Sequence, residues 1–195
     1  MYYLNKIPAS LNDCFAREGA VERLLEASEK LPENHHFIIF DAWRPYEVQL
    51  ELYEQLKEKL RSQGLENESL HKELSQYVDV PAKDPMQPSN HLTGGAIDLT
   101  IATPNGPLDM GTGFDDFTEK SHTNAYENCT DADEKEARAR DNRRLLKEMM
   151  ENAGFTNYEK EWWHYDYGNQ NWGKATGHTA FYGGVINLKG HLGAK

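Results

Sequence analysis

Apolar residues recur along this chain in two rhythms, and the switches between them mark its elements. From about Asn12 to Leu31, Phe15, Val21, Leu24, Leu25 and Leu31 fall at helical spacing among Arg, Glu and Lys, which predicts an amphipathic helix. Past Pro32-Glu33-Asn34, the continuous apolar run Phe37-Ile38-Ile39-Phe40 reads as a buried strand that delivers Asp41-Ala42-Trp43-Arg44-Pro45 to its end. Pro45 suits a first helical turn, and Val48, Leu52, Leu56 and Leu60 continue at four-residue intervals to a stop near Gly64. A further helix is expected from about Asn67 to Val78, with His71 off its apolar stripe. Prolines make the stretch from Pro81 to Pro88 a loop.

Ala96-Ile97-Asp98-Leu99-Thr100-Ile101 then switches to strict alternation. The resulting strand puts Ile97, Leu99 and Ile101 on one face and Asp98 on the other, beside Ala96 and Thr100. Pro104 to Pro107 is a turn. The Gly-rich loop Leu108 to Asp115 lacks the Gly-Lys-Ser/Thr ending of a phosphate loop. A charged helix is predicted from Asp133 to about Ala153, with Ala137, Leu145, Met149 and Met150 as its apolar residues and Gly154 as its stop. Phe155 to Tyr158 and Trp162 to Tyr165 suggest a strand pair, and the tail after Tyr167 reads as loop. These elements predict an α+β fold, with helices packed on one side of a small, mainly antiparallel sheet, as a single domain over residues 1–195.

Charge and cysteine usage narrow the partners. A formal net charge of -11 speaks against nucleic acid or an anionic membrane surface, both of which demand clustered Lys and Arg. Nothing approaches the length of a membrane span, and the first residues show no basic region followed by a long apolar run. Cys14 and Cys129 are too few and too far apart for a disulfide framework or a Cys-rich metal site. Together these features lead us to expect a cytoplasmic protein.

Chemistry concentrates in two stretches. In Ser89-Asn-His-Leu-Thr-Gly-Gly-Ala-Ile-Asp98, His91 offers an imidazole and Asp98 a carboxylate, and Gly94-Gly95 allow the backbone to fold back between them. An acid in the middle of an apolar strand is costly to bury unless it is paired or bound to metal. The second stretch, Glu161-Trp162-Trp163-His164, offers a third ligand and a base. Three N/O protein ligands with a fourth position open to water are what catalytic zinc requires. One tension remains: Glu161 and His164 are three apart, which on a flat strand places them on opposite faces, so either a turn or bulge intervenes or Glu161 acts from the strand's end.

Ser-x-His-x-x-Gly-x-Ala-x-Asp followed far downstream by Glu-x-Trp-His resembles the zinc D-alanyl-D-alanine dipeptidases of vancomycin resistance and their relatives. The resemblance extends to Arg44-Pro45, Met110 to Asp115 and Ser121-His122. It implies that His91, Asp98 and His164 bind zinc, that Glu161 is the general base, and that Arg44 assists the substrate carbonyl. It also implies that Asp115 binds the free α-ammonium of a small dipeptide, with Asp109 and Asp116 as neighbouring alternatives. Ser89 fits two roles equally, a turn former or a contact to the substrate's amino end. His122 fits either a donor orienting a ligand or a structural histidine. Two other readings use the same ligands: a carboxypeptidase or endopeptidase of wall peptides, and a zinc-containing binding module without activity. The base at Glu161 speaks against the last.

Overall fold

The computed structural model describes residues 1–128 and 133–188. Among them, five strands form one antiparallel sheet in the order β1-β2-β5-β4, with β3 paired to β2. The strands are β1 (His36–Asp41), β2 (Ala96–Thr103), β3 (Gly106–Pro107), β4 (Thr156–Asn157) and β5 (His164–Asp166). Helices α1 (Glu18–Ser28), α2 (Tyr46–Ser62), α3 (Asn67–Tyr77), α4 (Glu134–Asn152) and α5 (Gln170–Thr176) complete the expected α+β architecture. No helix among the described residues is long and apolar enough to cross a membrane.

The alternation in β2 has the predicted consequence. Ile97, Leu99 and Ile101 join the main core with Ala20 and Ala27 of α1, Leu146 and Met150 of α4, and Trp163 and Tyr165. In β1, Phe37 lies opposite Ile101 and Ile39 opposite Leu99; an irregularity at Phe40 then brings Asp41 opposite Asp98. A second apolar cluster, Leu56, Leu60, Leu70, Leu74 and Val78, joins α2 to α3 as a hairpin, and Phe117 packs against both clusters.

Three expectations are corrected. The first helix begins at Glu18 rather than near Asn12. The preceding segment gives its backbone to neighbours instead, with Phe15 O accepting from Trp43 N at 2.6 Å and Arg17 N donating to Gly94 O at 2.9 Å. Helix α4 is capped by the Asp133 carboxylate and packs its later turns on the core through Leu146 and Met150, with Leu145 partly buried beside them, but it also buries the charged Arg143, which the pattern does not indicate. Arg143 can be buried there because its guanidinium donates to the carbonyls of Met110, Lys120 and His122. Finally, the tail contains α5, capped by Asn169 and ended by the left-handed Gly177 at φ 74°. Beyond it, Val185 N donates to Leu92 O at 2.8 Å, so the tail packs on the turn that carries His91. Cys14 is a free, exposed thiol, whereas Cys129 falls outside the described residues.

Candidate metal centre and active-site cleft

The His91 turn is short and tightly bonded. Residues His91–Thr93 form a single 3-10 turn closed by Gly94 at φ 71°, a conformation an L side chain resists. A side chain at Gly95 would run into the Tyr167 carbonyl, so the second glycine is required by close approach. This turn feeds directly into β2, where Asp98 lies opposite His164 of β5. Cross-strand neighbours bring side chains together, and so the two distant motifs meet.

The tension over Glu161 is resolved by a turn. Tyr158 N donates to His164 O at 3.1 Å and Glu161 N to Tyr158 O at 3.0 Å, so residues 158 to 164 fold back between β4 and β5. Glu161 stands in that turn with Oε2 3.7 Å from His164 Nδ1.

His91, Asp98 and His164 are all buried, with donor atoms within 4.8 Å of one another. His91 Nε2 lies 3.3 Å from Asp98 Oδ2 and 3.3 Å from His164 Nδ1, and His164 Nδ1 lies 3.0 Å from Asp98 Oδ1. A tetrahedral face built on bonds of about 2.1 Å has edges of about 3.4 Å, close to these separations. The chemistry of the donors fits as well. His91 Nδ1 lies 2.8 Å from the Ala42 carbonyl, which can only accept, so the proton sits there and Nε2 presents its lone pair to the centre. These residues therefore suit a divalent cation.

The electrostatics ask for positive charge at the same point. Burial works against the Asp98 charge, but His91 and His164 outweigh it and hold the carboxyl far below the ordinary range. Burial likewise opposes an imidazolium at His164, yet Asp166 and Asp98 favour it strongly enough to raise the ring well above its ordinary value. Burial pushes Glu161 well up; His164 counters this, while Asp98 and Asp115 add to it.

Arg44 is 8 % exposed and extensively bonded. Its Nε donates to Asp41 Oδ2 at 2.7 Å, Nη1 to Gln49 Oε1 at 2.9 Å, and Nη2 to the Tyr2 hydroxyl at 3.1 Å and Asp98 Oδ2 at 3.4 Å. A guanidinium has five N–H donors, so these four contacts leave one for a ligand. Burial alone would lower its pKa, but Tyr2, Asp41 and Asp98 raise it above the ordinary value. Asp115 holds a left-handed conformation, φ 61°, that Asp tolerates better than most residues, and it accepts from the Tyr2 hydroxyl at 3.3 Å. Burial lifts its carboxyl to about 7, with Arg44 pulling down and Asp98 pushing up.

One cleft of about 500 Å³ joins Arg44, His91, Asp98, Asp115, Glu161 and His164. Asn90 rather than Ser89 lines it; Ser89 is buried, and its carbonyl accepts from Leu92 N at 3.1 Å to close the His91 turn. His122 lies outside the lining, and its buried Nε2 finds no hydrogen-bond partner among the described residues. Tyr2 and Gln49, which pattern reading passes over, are in it.

A family model described as D-Ala-D-Ala dipeptidase, of the peptidase M15 family, matches residues 6–181. The chain belongs to the M15 dipeptidase family. It is 32 % identical over 173 residues to the D-alanyl-D-alanine dipeptidase of Synechocystis sp., a match covering 80 % of this chain and 70 % of that protein. The protein of the same name from Enterococcus faecium is 32 % identical over 148 residues, covering 74 % of this chain and 68 % of the relative. The Escherichia coli namesake is 35 % identical over 130 residues, 66 % of this chain, and the match spans 53 % of that protein. Membership makes this M15 chain a metallopeptidase. The buried His-Asp-His centre is what such an enzyme needs.

Proposed function

We propose that this protein is a zinc-dependent dipeptidase of free D-Ala-D-Ala, with His91, Asp98 and His164 as metal ligands and Glu161 as general base. The observation that carries this reading is the convergence of three buried N/O donors beside Glu161, in a cleft that also contains Asp115. Bound there, zinc would supply Lewis acidity, bringing the pKa of a water towards about 7 and polarising the scissile carbonyl.

The chain's own groups do the rest. Asp115 binds the α-ammonium and, from a carboxyl poised at about 7, gives up its proton as that cation arrives. Ser89 acts from outside the cleft, its carbonyl closing the turn that holds His91. Glu161 takes the proton of the attacking water and returns it to the leaving amine; its raised proton affinity suits it to that exchange. Arg44, fixed by Asp41, Gln49 and Tyr2, points its remaining N–H at the carbonyl oxygen as negative charge grows there. A cytoplasmic setting, with free dipeptide as substrate, goes with this reading.

One observation favours a second reading. The cleft follows the α2 face Gln49, Leu52, Leu56 and Lys59. Ten residues of helix cover about 15 Å, more than two extended residues need. A carboxypeptidase or endopeptidase of wall peptides would use that length. The test is zinc analysis together with kcat/KM for D-Ala-D-Ala, its N-acetyl form and a tripeptide cut at its second bond. The dipeptidase reading expects the two blocked or longer substrates to be slower by about 10²–10³-fold, because Asp115 is left buried without its partner. Equal rates would favour the second reading.

A further inference from the structure

The candidate metal centre has an outer support that the motifs do not include. Strand β5 places His164 and Asp166 on the same face, since side chains two apart share a side of a strand. Asp166 Oδ1 lies 3.1 Å from His164 Nε2, and Asp166 Oδ1 in turn accepts from Asn169 Nδ2 at 2.5 Å. Both residues are buried, Asp166 at 2 % exposure and Asn169 at 0 %. The Asn169 amide cannot be turned around. Its oxygen accepts from Trp172 N at 3.0 Å as the cap of α5, so its nitrogen must face the carboxylate. The support therefore runs from the first turn of α5 through Asn169 and Asp166 to the imidazole.

We infer that Asp166, held by Asn169, is the positioning residue that sets the orientation and tautomer of His164 for metal binding. The inference rests on the zinc reading above. A carboxylate can only accept, so in the neutral ring it draws the proton to Nε2 and leaves a lone pair on Nδ1. That Nδ1 is the atom 3.0 Å from Asp98 Oδ1 and 3.3 Å from His91 Nε2. The opposite tautomer would aim a lone pair at the Asp166 carboxylate and an N–H into the space between the other donors. Asp166 thus removes the wrong tautomer, and Asn169 keeps the carboxylate from rotating away. The same arrangement raises the basicity of the ligating nitrogen.

Two substitutions test this on the full chain. Asp166→Asn keeps the shape and an oxygen but removes the charge. Asn169→Ser keeps a capping oxygen for α5 and removes only the donor to Asp166. Zinc affinity is measured by competition with a chromogenic chelator, and the His164 Nε2–H proton is followed by NMR in the zinc-loaded proteins. We expect Asp166→Asn to weaken zinc by about 10–100-fold and Asn169→Ser to weaken it less, in the same direction. The protected downfield Nε2–H of the parent should exchange faster in both. Zinc affinity within about twofold of the parent in both variants, with the Nε2–H unchanged, overturns the inference and leaves the zinc reading intact. A parent protein that fails to bind zinc removes the reading itself, and the inference with it.

Discussion

The two faces of β2 carry opposite tasks within a single strand. One face contributes Ile97, Leu99 and Ile101 to the main core; the other presents Asp98, flanked by Ala96 and Thr100 and all but inaccessible at 2 % exposure. On the first face the stabilising term is apolar burial, which adds up residue by residue. On the second, buried charges face one another and are satisfied only as a set: Asp98 with His91, His164 and Arg44, and Arg44 with Asp41, Gln49 and Tyr2. Damage to the core face should therefore be graded and read in stability, and damage to the charged face abrupt and read in chemistry.

The largest effect should come from His91→Ala or His164→Ala. Each deletes one of the three proposed ligands, so zinc content and activity should fall together while the apolar face still supports folding. Full zinc occupancy in either purified variant, by atomic absorption, would end the assignment. Glu161→Gln should separate the two properties, retaining zinc but losing about 10²–10⁴-fold in kcat, since a base does not anchor the ion. Comparable kcat in the variant would move the base elsewhere.

On the core face, Leu99→Ala should cost about 2–5 kcal/mol by urea denaturation and leave kcat per folded molecule near that of the parent. A collapse of kcat in the folded variant would mean the two faces are not separable. The smallest effect concerns pH. In the folded, metal-free protein the Asp115 carboxyl lies at about 7 against an ordinary 3.8. A raised acid binds its proton more tightly in the folded state, so this stabilisation is complete below about pH 4 and is lost as pH rises through about 7. Asp115→Asn should therefore melt higher than the parent near pH 8, by on the order of ten degrees at most, the gap closing towards pH 4. A gap that widens on acidification would contradict the assignment.

What could be read from sequence follows the same division. The β2 alternation, the run Phe37 to Phe40 and the stripe of α2 are periodic, and periodicity reports burial against neighbours whichever they are. His91, Asp98, Glu161 and His164 were legible because each sits in a compact local motif. Tyr2 was not: its partners Arg44 and Asp115 are 42 and 113 residues away, and no local pattern announces such a contact. Arg143 misled for a related reason, since a buried guanidinium satisfied by three loop carbonyls looks in sequence like another charge on an exposed helix. Helix α5 was hidden among glycines and aromatics, its Asn169 cap having no apolar stripe behind it.

The α2–α3 hairpin keeps an apolar cluster of its own and meets the rest of the protein through Phe117, the Arg44–Gln49 bond, and bonds such as Tyr158 Oη to Gln76 O at 2.9 Å and Lys160 Nζ to Gln76 Oε1 at 2.6 Å. A unit with a small core of its own, joined to the sheet largely by polar contacts, is expected to open at a lower free energy than the sheet it leans on. Its amide protons should exchange with deuterated solvent through local excursions, while those of β2 wait for global unfolding. Because α2 and the end of α3 are walls of the cleft, each excursion would also open the cleft. The rhythm at which the cleft meets bulk water would thus be set by a pair of helices, while Asp98 and His164 on the sheet stay still.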